Sequence, residues 1–490
     1  GDSVHFKLKY DGYVDEGFCY LDIPADLLQE EYAREMFKID KKYSFQNKDY
    51  LLFTPETYWY PRPGTSYSSE NSDWQQAYFS HFRLKVRTSN YLKALSQGTM
   101  KSSEEKNLFI YETDFMTPSI SLIIGDYEEK SIDVDSTRFT IWHLRGHDYF
   151  SNLFDEIVDT IPSQISERRR AVEMTYSLDY SFNRFSLVEV PVQFYSYART
   201  WTQAQEVMQP EMVLFPEKGS LVNEADVVRG ISNEKNWARR NGQEISDEEA
   251  AMRVLNRFMR FFERTESNLN WSQERGAMNV TEKSNPYFIF PQLYNFRYNI
   301  FSSEWPVANR LIELYLQDKA DNNTWIRQMN GISNSEKANL LMAQYPFKEL
   351  LANPEQRDLL DNVTSLKANY LFAHAEENIG YKEYRDSLRA VLQRNIFTNL
   401  RFENLLDTMG MIAGVNLRTP LQAWHGPTSL PVYLVGTPEV VRITNRDREV
   451  YVVKLQVVND SYHDGVISVE MNMGGRQGDD TYDPRAKRKV

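Results

Sequence analysis

The chain has 490 residues, with 56 Lys and Arg against 69 Asp and Glu, giving a formal charge of −13. That balance argues against a binder of nucleic-acid phosphates, which needs clustered Lys and Arg. Aromatic residues are abundant, with 30 Tyr, 27 Phe and 9 Trp, and 41% of the chain is apolar, which excludes a disordered polymer and supplies large cores.

The length suits roughly three domains at about 150 residues each. A single Cys19 excludes an internal disulfide and a Cys-rich zinc site. No apolar run reaches the roughly 18 residues of a membrane-spanning helix, and Gly1-Asp2-Ser3-Val4-His5 does not begin a signal peptide. The chain reads as a piece excised from a longer protein.

Residues 1–145 alternate like strands. Phe6-Lys7-Leu8-Lys9-Tyr10, Phe82-Arg83-Leu84-Lys85-Val86 and Phe139-Thr140-Ile141-Trp142 switch polar and apolar with period two, wholly or in part. Asp11-Gly12, Pro61-Arg62-Pro63-Gly64 and Gly125-Asp126 separate them as turns. A helix is predicted from Pro24 to Lys38, with Leu27, Leu28, Tyr32 and Met36 on one side. The module is expected to be a β-sandwich.

From Asp148 to Ser177 the period changes to helical, with Phe150, Phe154, Ile157, Val158 and Ile161 on one stripe. Phe185 to Val192 follows as a strand. Arg229-Gly230-Ile231 through Asn241-Gly242 is polar enough to predict a mobile loop. Ala250–Glu263, Glu304–Asp318, Asn334–Gln344, Asn353–Gly380 and Tyr381–Gln393 read as helices. From Pro431 the pattern returns to β, with strands over Val450–Asn459 and Gly465–Glu470.

Several stretches together resemble the aminopeptidase N family of gluzincin zinc peptidases, and within it the branch fused to bacterial ABC-type transporter permeases. They are Trp59-Tyr60-Pro61, then Ser186-Leu187-Val188-Glu189-Val190-Pro191-Val192-Gln193-Phe194, then Lys367 through Gly380, then Tyr381 to Trp424. The fold class so implied is multidomain α+β. An N-terminal β domain is expected over 1–145, a thermolysin-like domain over 146–345 and a helical region over 346–428. A partial immunoglobulin-like β domain is expected over 429–490, too short for the roughly seven strands of a full sandwich.

The family's chemistry has four parts. The first is a helical His-Glu-x-x-His that binds zinc and activates water. The seven histidines are His5, His81, His143, His147, His374, His425 and His463, and only His143 and His147 have that spacing. Leu144 stands where the general base belongs, and Gly146 breaks a helix, so this stretch is predicted to be a strand ending in a polar loop. His374, between Ala373 and Ala375, is predicted to occupy a packed helix position. The third zinc ligand would fall near Glu304 or Glu313, both read as residues of a capped, solvated helix. The Gly-Ala-Met-Glu-Asn segment that holds a substrate's amino terminus is replaced by Tyr195-Ser196-Tyr197-Ala198-Arg199-Thr200-Trp201. The Tyr that steadies the oxyanion falls on Ser365, with Lys367 and Ala368 after it.

With all four parts missing, the resemblance implies a catalytically inactive domain with no cofactor, retained for binding or structural contact. Its expected place is the extracytoplasmic (periplasmic) face of the bacterial inner membrane. The expected partner is the transmembrane part of the same or a partner permease, with a peptide as a second candidate and no nucleic acid. The segment facing the former cleft is expected to include Tyr195, Tyr197, Arg199, Trp201 and Glu206, with Trp305 near them. The expected outcome is that these aromatics fill the cleft as ordinary core. The alternative is a hydrolase, peptidase or glycosidase, with a relocated site, supported by the acid pairs Asp133/Asp135 and Glu248/Glu249.

Overall fold

The computed structural model describes residues 5–21, 40–62, 78–89, 91–148, 151–176, 179–197, 206–217, 227–261, 297–302, 304–305, 307–317, 331–353, 356, 359–425, 433–445, 448–460 and 466–467. The chain is mixed α+β and divides into two units, Gly1–Gln317 with Arg389–Glu403, and Asp318–Leu388 with Asn404–Val490.

The first unit opens with short strands: β1 (Phe45–Gln46), β2 (Leu51–Phe53), β3 (Arg83–Arg87), β4 (Lys93–Leu95), β5 (Thr99–Lys101), β6 (Leu108–Glu112) and β7 (Leu122–Gly125). They form a four-stranded sheet in the order β1-β2-β7-β4 and a three-stranded sheet β3-β6-β5. Next come β8 (Tyr127–Val134) and β9 (Thr137–Leu144), paired antiparallel from Tyr127↔Leu144 to Val134↔Thr137. Asp135 takes the left-handed conformation in the turn between them (φ +52°), which its short polar side chain tolerates.

A 3₁₀ turn at Ser151–Ile157 and helix α1 (Ile161–Tyr176) then carry the chain to β10 (Arg184–Val190), which lies parallel to β9. A crossover of this kind is what parallel neighbours require. With β11 (Met208–Gln209) and β12 (Met212–Pro216) these strands complete a mixed sheet in the order β11-β12-β10-β9-β8. It therefore takes strands from either side of residue 145. The shared core joins Phe45, Leu52, Leu95 and Ile123 of the four-stranded sheet to Tyr127, Val188, Val190, Met212 and Leu214 of the five-stranded one.

Helices α2 (Val227–Arg240) and α3 (Asp247–Phe261) pack on each other. The mobile loop expected over 229–242 is thus corrected to a helix. Gly230, the residue that argued for a loop, lets α2 lie against α3, because a Cβ there would meet Val254 at 3.2 Å. The first unit then adds β13 (Asn299–Phe301) and α4 (Ala308–Gln317).

The second unit is helical and then β. Helix α5 (Asn334–Gln344) begins with a capping box, in which Ser333 Oγ accepts from the Glu336 amide and the Ser333 amide donates to Glu336 Oε2. After α6 (Phe347–Ala352) comes α7 (Leu360–Ile379), whose buried stripe is Leu360, Val363, Thr364, Lys367, Ala368, Leu371, Phe372 and Ala375. Gly380 ends it at φ +100°, and α8 (Tyr381–Arg394) follows at once. The chain rejoins the first unit as β14 (Asn399–Arg401), parallel to β13 in the register Asn299↔Asn399. It then continues through α9 (Phe402–Ala413) and α10 (Arg418–His425). Last come β15 (Tyr433–Val435), β16 (Glu439–Asn445), β17 (Arg448–Lys454) and β18 (Val457–Asn459), paired as β15·β18 and β16·β17.

Three further expectations are corrected. Phe6 to Tyr10 is not a strand, and Phe6 is 86% exposed, so its alternation is not matched by a partner strand. The single strand expected over Val450–Asn459 is two, β17 and β18, broken at Leu455-Gln456. The helix expected from Asp148 starts at Ile161, after the 3₁₀ turn. The helix expected over Pro24–Lys38 lies outside the described residues.

Candidate functional site

Strand β10 ends at Val190, and Pro191 turns the chain toward the N-terminal segment. There Lys42 bridges Phe194, with the Lys42 amide donating to Gln193 O at 2.8 Å and the Tyr195 amide to Lys42 O at 2.9 Å. This places Tyr195 and Tyr197 against Tyr20 and Tyr43, with Cys19 beside them. Ring centroids lie 4.9 Å apart for Tyr20–Tyr43, 5.0 Å for Tyr20–Tyr197 and 4.9 Å for Tyr195–Tyr197, all edge to face. Such geometry sets the positive ring edge on the negative face. Lys41 Nζ stands 4.2 Å from the Tyr195 centroid and donates to Tyr197 Oη at 3.2 Å.

Tyr20 links this cluster to a pair of acids. Its backbone is left-handed at φ +58°, and its amide donates to Glu56 Oε1 at 2.5 Å. The Glu56 amide in turn donates to Glu206 Oε2 at 3.3 Å, and Gln209 Nε2 donates to the same oxygen. Glu56 is buried on a 3₁₀ turn begun by Pro55. Burial first, and then the Glu206 carboxylate, push the Glu56 carboxyl up to about 8. Glu56 therefore keeps its proton at neutral pH and serves as a neutral hydrogen-bonding group.

Of the residues singled out in the sequence, Tyr195, Tyr197 and Glu206 come together here. Tyr195 and Tyr197 are buried and Glu206 half-buried. Arg199 and Trp201 lie outside the described residues. Trp305 belongs to another corner of the unit, where its amide donates to Ser302 Oγ and Ser302 Oγ donates to Glu403.

A second buried acid lies within the five-stranded sheet. Glu189 on β10 is fully buried and accepts from the Leu144 amide at 2.6 Å, and its Oε1 lies 2.9 Å from His147 Nδ1. Tyr127 Oη donates to the Glu189 carbonyl at 2.6 Å. His143 and His147 thus stand on a strand end and on the loop after it, with Gly146 at φ +78° between them. Two expectations about single residues are corrected. Glu313 is buried and not solvated, because Arg310, 2.7 Å away and equally buried, neutralises it inside α4. His374 is a half-exposed helix position and not a packed one, with 39% of its side chain exposed and Nδ1 4.0 Å from Glu377.

The acid doublets have structural roles at the surface. Asp135 accepts from Ser166 and pairs with Arg169 at 2.7 Å. Glu248 and Glu249 lie in the first turn of α3, where negative charge suits the helix dipole, and Glu249 pairs with Arg253. Among the described residues no three His, Cys, Asp or Glu side chains converge as metal ligands.

No protein-family model and no curated protein matches the chain. Among solved structures it is similar to an M1 zinc metallopeptidase from Deinococcus radiodurans, at 10% identity and a TM-score of 0.37, over 73% of this chain and 67% of that one. It is also similar to Legionella pneumophila aminopeptidase A, at 14% identity and a TM-score of 0.36, over 86% of this chain but 42% of that one.

Sequence reasoning missed Glu56, Tyr20, Tyr43 and Lys41, because contacts across more than a hundred residues leave no local signal. Glu189 did leave one: it is an acid between Val188 and Val190 in an apolar run, and must be satisfied if that run is buried.

Proposed function

We propose that the chain is a catalytically inactive, aminopeptidase-like domain retained for structural contact or binding, as an extracytoplasmic part of an ABC-type transporter permease. The observation that carries this reading is in the sequence. No His-Glu-x-x-His occurs, and the one histidine pair at that spacing, His143 and His147, flanks Leu144. The surroundings of the pair support the reading, since His147 is held by the buried Glu189 at a strand's end and not on a helix. Tyr195 and Tyr197, packed with Tyr20 and Tyr43, favour the structural role over an open peptide cleft.

The test is zinc content by mass spectrometry together with hydrolysis of aminoacyl p-nitroanilides. Substoichiometric zinc and no turnover are expected; one zinc per chain with turnover overturns the reading. The location is tested by expressing the complete coding region and fractionating cells. Recovery with the inner membrane, and cleavage by protease added to the periplasmic side, are expected. Recovery in the cytosol alone overturns the placement.

A further inference from the structure

The stretch Phe6–Tyr10 has the period of a strand, and the fold leaves it unpaired. Residues 5–10 make no backbone hydrogen bond with the described residues. Phe6, Leu8 and Tyr10, which alternation sets on one side, are 86%, 64% and 64% exposed. Lys7 and Lys9 fall on the other side, exposed and without an ionic partner among the described residues. The arm is anchored at its base, where Tyr10 Oη donates to Trp59 O at 3.0 Å and Gln46 Nε2 donates to Gly12 O at 3.1 Å. It has the side-chain pattern of an amphipathic strand with both backbone edges bare.

The same unit contains an edge that fits it. Strand β8 ends the five-stranded sheet and pairs only with β9 among the described residues. Glu129, Lys130 and Ser131 are exposed in succession, so both faces are open there, and the edge with them. At eight residues β8 is the longest edge strand of the unit. The next longest, β3, carries Arg83, Lys85 and Arg87, which would repel Lys7 and Lys9. The ribbon of β16 and β17 carries Arg442, Arg448 and Lys454 against Glu439 and Glu449, and disfavours a basic arm for the same reason.

Charge and register agree on β8. Glu128 is committed to Arg145 at 3.2 Å, and Lys130 to Asp148 at 3.2 Å. Asp133 has no ionic partner among the described residues, and Glu129 has only a 3.9 Å contact with Arg138. Alternation sets Glu129 and Asp133 on one face. An antiparallel pairing of Lys9 with Glu129 brings Lys7 opposite Ser131, between the two acids, and Phe6 opposite Ile132. Ile132 already lies across from the buried Phe139 of β9, so Phe6 lengthens an apolar row. A slip of one residue in either direction would set Lys7 or Lys9 opposite Lys130, like charge against like.

Within one copy the arm does not lie on β8. We propose that the arm of one copy adds as a strand to β8 of a second copy, and that reciprocal exchange of arms makes a dimer.

The test is sedimentation equilibrium of the whole chain over a concentration series. The mean mass should rise from 57.6 kDa toward twice that value, more steeply at low salt. Lys7→Glu with Lys9→Glu should weaken association about tenfold or more, and so should Glu129→Lys with Asp133→Lys. Mixing these two double variants should restore it, because each arm then meets an edge of opposite charge in the other chain. Both variants should keep the wild-type melting temperature, because all four side chains are exposed. Amide exchange over residues 5–10 should slow as concentration rises. A single mass at every concentration of the wild type overturns the proposal. Association unchanged in either double variant overturns it, as does a mixture of the two that stays monomeric. Amide protection over 5–10 that is the same at every concentration would put the arm on its own chain, and overturns it equally.

Discussion

Glu56 and Lys367 show how burial sets the charge of a single side chain and what that does to stability. Glu56 has its carboxyl raised from 4.5 to about 8 by burial and the nearby Glu206. Between those values the folded state holds a proton that the unfolded state has released. Its contribution is therefore whole below about 4.5 and is lost as pH rises through about 8. Glu56→Gln keeps a neutral hydrogen-bonding group and removes the titration. Denaturant melts at pH 5 and pH 8.5 should show a smaller loss of stability in the variant than in the wild type; equal losses would count against the buried pair. Lys367 behaves in the opposite sense. It lies in the buried stripe of α7, only 5% exposed, and burial alone lowers its ammonium to about 8. Here the unfolded state binds the extra proton, so stability rises with pH from about 8 toward the usual lysine value of 10.5. Lys367→Met should stabilise the chain at pH 7, on the order of 2–3 kcal/mol from the size of the shift, with the gain shrinking as pH approaches 10.5. A variant less stable at pH 7 would show that the ammonium has a favourable role.

Helix α2 shows what an element needs beyond its own sequence. A helix with Gly230 near its start and mostly polar residues after it has weak intrinsic propensity, and α2 is held by lying against α3. Gly230→Val would push a branched side chain into Val254, whose methyl carbons lie 3.2 Å from the Cβ position. Overpacking of that kind costs about 1–3 kcal/mol, and Val254→Ala in the same chain should recover part of it. Additive losses in thermal melts would show that the two sites do not touch. The same helix marks the limit of what the sequence reveals. Helix α5 was legible to its bounds, Asn334–Gln344, and the structure adds the capping box of Ser333 and Glu336 at its start. Strand β10 was legible as an apolar run. Its neighbour β9 was legible too, as the alternation over Phe139 to Trp142, but the parallel pairing of β10 with β9 and β12 was not, since it depends on crossovers that no local pattern records. In the candidate site, the sequence reading expected Tyr195 and Tyr197 to face a former cleft and did not foresee their packing against Tyr20 and Tyr43. Lys41 and Glu56, brought in from the N-terminal segment, were not foreseen either. Glu206 was foreseen as a cleft residue, but its partner Glu56 sits 150 residues earlier.

At the scale of the whole molecule, the first unit is not one continuous stretch of chain. Residues 318–388 belong to the second unit, and the chain returns at Arg389–Glu403 to supply β14. That return brings Phe397, stacked on Phe115 at 4.6 Å, and the Asn399 side chain, which accepts from Asn299 at 2.8 Å. The Arg297 guanidinium, fully buried, depends on Gln393 for one of its acceptors. A chain ending at Leu388 should therefore leave residues 297–317 open to protease, while the intact chain protects them. Equal protection in limited proteolysis would mean that β13 stands without β14. The consequence is one of timing. A ribosome adding about 5–20 residues each second releases Asn299 some 100 residues ahead of Asn399, so β13 waits for seconds without its partner strand β14. During that interval the nascent chain carries a ready template for any passing strand, which a chaperone at the ribosome exit would shield.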